Sequence, residues 1–136
     1  MVNKNINLNL ALDNLKKNNI NAAIEIFENI LAENPNHLQS NFYLGTLYAQ
    51  NKNFEKAQTL LKKVVNLQPN FAEVYNNLGL INLELKQIDE AKKYFEKAID
   101  IKPNYSDPYN NLGLIFIKSK KINEALKYYK KAIKIN

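Results

Sequence analysis

The chain contains no cysteine and a single histidine, His37. Disulfide staples, zinc–thiolate sites and cysteine nucleophiles are thereby excluded. Histidine-based metal sites and Ser/His/Asp triads have almost no material to draw on. All 19 basic residues are lysine, so the planar arginine fork that grips phosphate or guanine is missing too. Tryptophan is absent, and glycine occurs only three times and proline four times. No apolar run approaches the roughly 18 residues of a membrane-spanning helix. Met1 to Leu12 alternates Asn with Ile and Leu and has no basic segment ahead of an apolar block, so it does not read as a signal peptide. A cytoplasmic protein without cofactor, metal, membrane contact or specific nucleic-acid partner is the expectation.

What is present is ordinary in amount and unusual in order. The 136 residues are enough for one domain or a short repeat array, with 46% hydrophobic and 24% charged residues. Asparagine occurs 24 times, lysine 19 and isoleucine 14. That combination is typical of AT-rich coding, which accounts for much of the +6 net charge.

The order is a period of 34 residues. Pro35, Pro69 and Pro103 keep that interval, as do Gly45, Gly79 and Gly113. Ala23, Ala57, Ala91 and Ala125 keep it, and so do Leu10, Leu44, Leu78 and Leu112. Periods of this size mark arrays in which each unit buries its apolar face on a neighbour. Within the third unit, Tyr75, Leu78, Gly79 and Asn82 follow helical spacing, and Ile88, Ala91, Phe95, Ala98 and Ile99 do so again. Leu85-Lys86-Gln87 lies between the two runs, and Pro103 ends the second by excluding Lys102 from the helical region. Each unit is thus a pair of antiparallel helices. The glycines fall mid-helix, where each costs about 0.5–1 kcal/mol relative to alanine. The expected offset is close approach of the second helix at Ala57, Ala91 and Ala125, with Phe27, Leu61, Phe95 and Tyr129 filling the space between pairs. Asp89 and Asn123 are expected N-caps of second helices. Ser106-Asp107-Pro108 reads as a capped helix start with proline at the first position.

These residues resemble the tetratricopeptide repeat pattern: Tyr75, Leu78-Gly79, Ala91, Phe95, Ala98, Pro103, and again Tyr109, Leu112-Gly113, Phe116, Ala125, Tyr129, Ala132. The resemblance covers the whole chain as one array of four units, 4–37, 38–71, 72–105 and 106–136. It implies an all-α fold, a right-handed superhelical solenoid of antiparallel helix pairs with about eight helices. Departures are Asn7 and Asn14 for aromatics and Ala11 for glycine in the first unit, Asn41 in the second and Asn82 in the third. The degenerate first unit fits an N-terminal cap.

The resemblance further implies a non-catalytic protein-binding scaffold, in which the first helices line a groove that holds an extended peptide. The candidate groove positions carried over are Asn9 and Leu12, then Phe42, Tyr43 and Thr46, then Asn76, Asn77 and Leu80, then Asn110, Asn111, Leu114 and Lys118, with Asn5 at the groove's start. Asn9, Asn77 and Asn111 share one register, interrupted by Tyr43. An amide offers donors and an acceptor, and amides one unit apart can clamp a peptide backbone without reading its side chains. A similar asparagine ladder occurs in the repeats of O-linked N-acetylglucosamine transferases. Two readings of the register stand side by side, a clamp or coincidence in an asparagine-rich chain. Asn36, Asn70 and Asn104 also align, and they are turn residues. The lysine and arginine clamp that some of these domains use for C-terminal carboxylates is replaced here by Leu8, Phe42, Asn76, Asn110 and Asn111. Binding to the acidic tails of heat-shock chaperones is therefore not expected.

The fourth unit holds Lys118, Lys120, Lys121, Lys127, Lys130, Lys131 and Lys134, read first as a solvated convex face and second as a match for an acidic protein. His37 reads as plain surface. Leu126, Ile133 and Ile135 should lie open where a further unit would pack, so the chain is either part of something longer or self-associates through that edge. The alternative function is a recruitment segment of a larger glycosyl- or sulfo-transferase.

Overall fold

Proline decides where the helix pairs end. The computed structural model describes the backbone of residues 4–136 and the side chains of residues 7–136, so the Asn5 side chain and Met1 to Asn3 lie outside the described residues. Asn34, Gln68 and Lys102 precede Pro35, Pro69 and Pro103, and their backbones are nearly identical, with φ/ψ of −136/88, −141/87 and −135/84°. The proline ring clashes with a helical residue before it, so the helix stops there whatever its own propensity.

Eight helices make up the described chain: α1 (Lys4–Lys16), α2 (Ile20–Glu33), α3 (Leu38–Gln50), α4 (Phe54–Leu67), α5 (Ala72–Glu84), α6 (Ile88–Ile101), α7 (Ser106–Lys118) and α8 (Ile122–Ile135). They fall into two compact units, α1–α4 ending at Pro69 and α5–α8 beginning at Asn70. In each unit two helix hairpins pack in chain order, α2 on α3 in one and α6 on α7 in the other. No strand occurs among the described residues.

The tight turns inside the hairpins share one backbone solution. Asn18, Lys52, Lys86 and Lys120 are spaced by 34 and adopt φ of 60, 59, 60 and 60°. After α5, Lys86 N–H donates to Leu83 O at 3.0 Å and Gln87 N–H donates to Asn82 O at 2.8 Å. The same pair of bonds follows α1, α3 and α7. This is the Schellman end, which ordinarily selects glycine at the left-handed residue. Here lysine or asparagine holds that place, and none of the three glycines does.

The glycines serve packing instead. A Cβ on Gly79 would lie 2.5 Å from the Phe95 ring, and on Gly45 2.9 Å from the Leu61 side chain. The first helix is therefore shaved to admit a bulky residue of its partner. Close approach to alanine, the expectation from sequence, is not what the glycines provide. Ala91 joins Phe95 in a cluster with Leu112 and Ile115 of α7. Second helices are buried along one stripe, Ala91, Phe95 and Ala98 in α6, whereas α7 is buried on more sides because α5, α6 and α8 all contact it.

Helix starts depart from expectation. Asp89 and Asn123 are the second residues of α6 and α8, and Gln87 and Lys121 occupy the caps without a side-chain bond. Tyr105 caps α7, so Ser106 is its first residue and Pro108 its third. The Schellman turn fixes where the chain re-enters a helix, and proline is tolerated anywhere in a first turn whose N–H groups lack partners. His37 is no idle surface residue. It caps α3, its Nδ1 accepting the Ser40 N–H at 3.2 Å.

Candidate functional site

The groove candidates sit on first helices, and what surrounds them differs between the two units. In α1–α4 the register is closed by aromatic packing. Tyr43 is stacked on buried Phe27 with centroids 5.6 Å apart, and Phe42 meets Tyr43 edge-on at 5.5 Å. Leu12 packs half-buried against the same core, which Ala11 and Leu44 join. Thr46 donates its hydroxyl to the Phe42 carbonyl at 2.9 Å, so it is satisfied within its own helix. Asn9 is exposed.

In α5–α8 the same positions carry amides. Asn76 is buried, and its Oδ1 accepts Asn111 Nδ2 at 2.9 Å, tying α5 to α7. One rail candidate is thus committed to a bond between first helices. Asn77 and Asn111 are half-buried, and Asn110 is exposed. One helical turn further along, Leu80 and Leu114 each remain 41% exposed, and Ile117 remains 40% exposed. Lys118 closes the row in solvent. These three apolar residues, bordered by amides, form an accessible strip that packing inside the unit does not cover.

Charge frames one end of that strip. Burial alone would raise the Glu73 carboxyl, but the Lys102 ammonium, bonded at 2.9 Å, together with a backbone N–H bond holds the group below its ordinary 4.5. Burial, with the nearby Asp107 and Glu73 carboxylates, pushes the Tyr105 hydroxyl up to about 12. The phenol therefore stays protonated at neutral pH, a donor beside Asn76. The Asn76 bond to Tyr105 acts in the opposite, weaker direction.

An open cleft in this unit lies elsewhere. It is about 450 Å³, lined by Pro103, Asn104, Tyr109, Lys131, Lys134 and Ile135, with the Lys131 ammonium 5.9 Å from the Tyr109 ring centroid. Sequence reading placed these lysines on a solvated face and missed the cleft, because Pro103 and Ile135 are brought together only by hairpin packing. Among the described residues no group of three His, Asp or Glu is placed to hold a metal ion, and no helix is long and apolar enough to cross a membrane.

Models of the tetratricopeptide repeat match residues 14–80, 72–105 and 106–136. The chain belongs to the tetratricopeptide repeat family. Its fold is accordingly the all-α helical-repeat solenoid of that family, and its role is protein binding, in a family that is typically non-catalytic. No curated protein matches the sequence. Solved structures do. A crystal structure of MamA superposes with a TM-score of 0.87 at 26% identity, covering 98% of this chain and 78% of that one. The MamA structure from AMB-1 gives 0.83 at 26%, covering 98% and 79%. The MamA of Desulfovibrio magneticus RS-1 gives 0.87 at 20%, covering 98% and 75%, a likeness of fold alone.

Proposed function

We propose that the tetratricopeptide chain is a non-catalytic scaffold that holds an extended peptide segment of another protein along its first helices. The observation that carries this is the strip of Leu80, Leu114 and Ile117 beside Asn77, Asn110 and Asn111. Leucines about 40% exposed in register on neighbouring helices are a poor use of apolar surface unless something covers them. The amides at their edge supply donors and acceptors to a peptide backbone, so affinity comes from apolar side chains and registration from hydrogen bonds. On α1 and α3 the corresponding wall is aromatic, Phe42 and Tyr43 with Leu12 and Thr46, and favours a bulkier side chain. Asn111 works through its bond to Asn76, which fixes the spacing of α5 and α7.

A peptide library displayed on phage, selected on the immobilised chain and measured by fluorescence anisotropy, tests the reading. Selected peptides should lose tenfold or more affinity, about 1.4 kcal/mol or more, for Leu80→Asp/Leu114→Asp. They should keep it for Lys97→Ala/Lys127→Ala on the second helices. Equal binding to both variants would remove the first-helix face from consideration.

A further inference from the structure

The nitrogen and oxygen of an asparagine amide have nearly the same shape, so which of them a paired asparagine turns outward is decided by the groups at the ends of the pair. The bond between Asn76 and Asn111 belongs to a longer row in α5–α8. Asn76 is 4% exposed and bonds on one side to Asn111 and on the other to the Tyr105 hydroxyl. That hydroxyl is bonded in turn to the Asp107 carboxylate. Tyr105 is held where it stands. Its N–H donates to Lys102 O at 3.0 Å, and the Lys102 ammonium lies 5.2 Å from its ring centroid. The same ammonium is bonded to Glu73 of α5 at 2.9 Å.

The geometry points to a polarised relay, in which Asp107 and Tyr105 are positioning residues that make Asn111 present its carbonyl oxygen to a bound peptide. The row has one direction because only one of its ends is charged. A carboxylate accepts and cannot donate, so the phenol donates to Asp107. Its one hydrogen is then spent, and its oxygen accepts from Asn76, whose Nδ2 therefore turns to Tyr105. The Asn76 Oδ1 is left for α7, where it accepts Asn111 Nδ2 at 2.9 Å. Asn111 keeps its Oδ1 for other partners. It lies three residues before Leu114 on the same face of α7, so this oxygen stands at the edge of the apolar strip. The opposite arrangement would set the phenol oxygen against the Asp107 carboxylate with no proton between them. Burial of Asn76 makes that error costly, since a mispaired amide there has no water to turn to. Bonds that run in one direction also strengthen one another. The matching group on the partner is a backbone N–H, so a prolyl or N-methylated residue is rejected at that point of the segment. This specificity rests on the strip being the peptide face, whereas the relay does not.

Nuclear magnetic resonance of the isotopically labelled chain tests the relay without a ligand. Coupling across the hydrogen bond should run from Asn111 Nδ2 to the Asn76 side-chain carbonyl. Tyr105→Phe removes the acceptor of Asn76 Nδ2, and Asp107→Asn supplies an amide that can donate to the phenol. In both, the coupling should weaken and the reverse one should appear, while Asp107→Glu should keep the wild-type direction. Reverse coupling in the wild-type chain, no coupling in either direction, or one direction unchanged in both Tyr105→Phe and Asp107→Asn would overturn the relay. Peptides selected on the chain test its use. Replacing one backbone N–H of the segment by an ester oxygen should cost about fivefold in affinity, and the same replacement should cost nothing against Asn111→Ala. Tyr105→Phe should weaken the parent peptide by a similar factor and leave binding of the ester analogue unchanged. Equal weakening of both peptides would mean a merely structural loss and overturn the positioning role. Peptides indifferent to Leu80→Asp/Leu114→Asp would remove the strip, and with it the use in recognition, while the couplings decide the relay on the unliganded chain.

Discussion

Two turns in the two units present the same carbonyl to the same position and cap it with different chemistry. In α5–α8 the Tyr109 hydroxyl donates to Pro103 O at 2.9 Å. In α1–α4, Asn41 Nδ2 donates to Pro35 O at 3.0 Å and to His37 O at 2.9 Å. Asn41 is 1% exposed and Tyr109 7%. An asparagine that looks like a departure from the repeat pattern is thus a substitute for the polar end of a tyrosine. It lacks the ring, and its Oδ1 finds no partner within the protein. Asn82 and Asn14 show a second substitution. Where Phe116 stacks on Tyr128 at 5.4 Å, Asn82 donates to Leu78 O at 2.7 Å and Asn14 to Leu10 O at 2.9 Å. What the repeat conserves between its own copies is a satisfied backbone and a filled volume, and more than one side chain meets each requirement.

The comparison can be pushed hardest at the glycine–aromatic contact. Phe95→Ala should cost about 3–5 kcal/mol in urea unfolding, whereas Tyr129→Ala should cost well under half of that, since Tyr129 is half-exposed on α8. Gly79→Ala should destabilise by about 1–3 kcal/mol despite better helix propensity, because the Phe95 ring is fully buried and has nowhere to move. At the proline turns, Asn41→Ala should cost about 1–3 kcal/mol by removing a buried amide together with its bonds to the Pro35 and His37 carbonyls, and Tyr109→Phe about 0.5–1.5 kcal/mol by the same readout. A loss in one variant and none in the other would mean that the two caps are not equivalent. In the Schellman turns, Lys52→Gly and Lys86→Gly should each stabilise by about 0.5–1 kcal/mol by removing left-handed strain. Asn18→Gly should gain less, since asparagine already tolerates that region. Thermal midpoints of the three variants would show the order.

The smallest effect is electrostatic. Glu73 titrates below its usual value in the folded chain, so the Lys102 pair contributes stability above the unfolded carboxyl pKa and loses it as pH falls through the lowered folded value. Both partners are more than a third exposed, so Glu73→Gln should cost about 0.5 kcal/mol or less at pH 7. Chemical denaturation at pH 7 and at pH 3 should show that difference closing at the acid end.

Much of the fold was legible because its causes are local or periodic. Pro35, Pro69 and Pro103 forbid helix at the residue before them wherever they stand, and the 3.6-residue spacing of Ala91, Phe95 and Ala98 describes a helix with one buried stripe. The candidate site was legible only as a set of positions. Nothing in the sequence distinguishes Asn76, tied to Asn111 inside the unit, from Asn110, left in solvent, because both are asparagines one residue away from another asparagine. The turn geometry was equally hidden, since lysine carries no signature of a positive φ.

By itself, then, the sequence determined the 34-residue period, the helix pairs and where they break, since steric exclusion by proline and helical periodicity act over a few residues. Only the tertiary structure decided which side of each helix faces a partner, which asparagines bond to the protein and which remain available, and that Leu10 stays open. Those outcomes depend on which atoms are brought within a few ångströms across hairpins, and chain distance does not encode that.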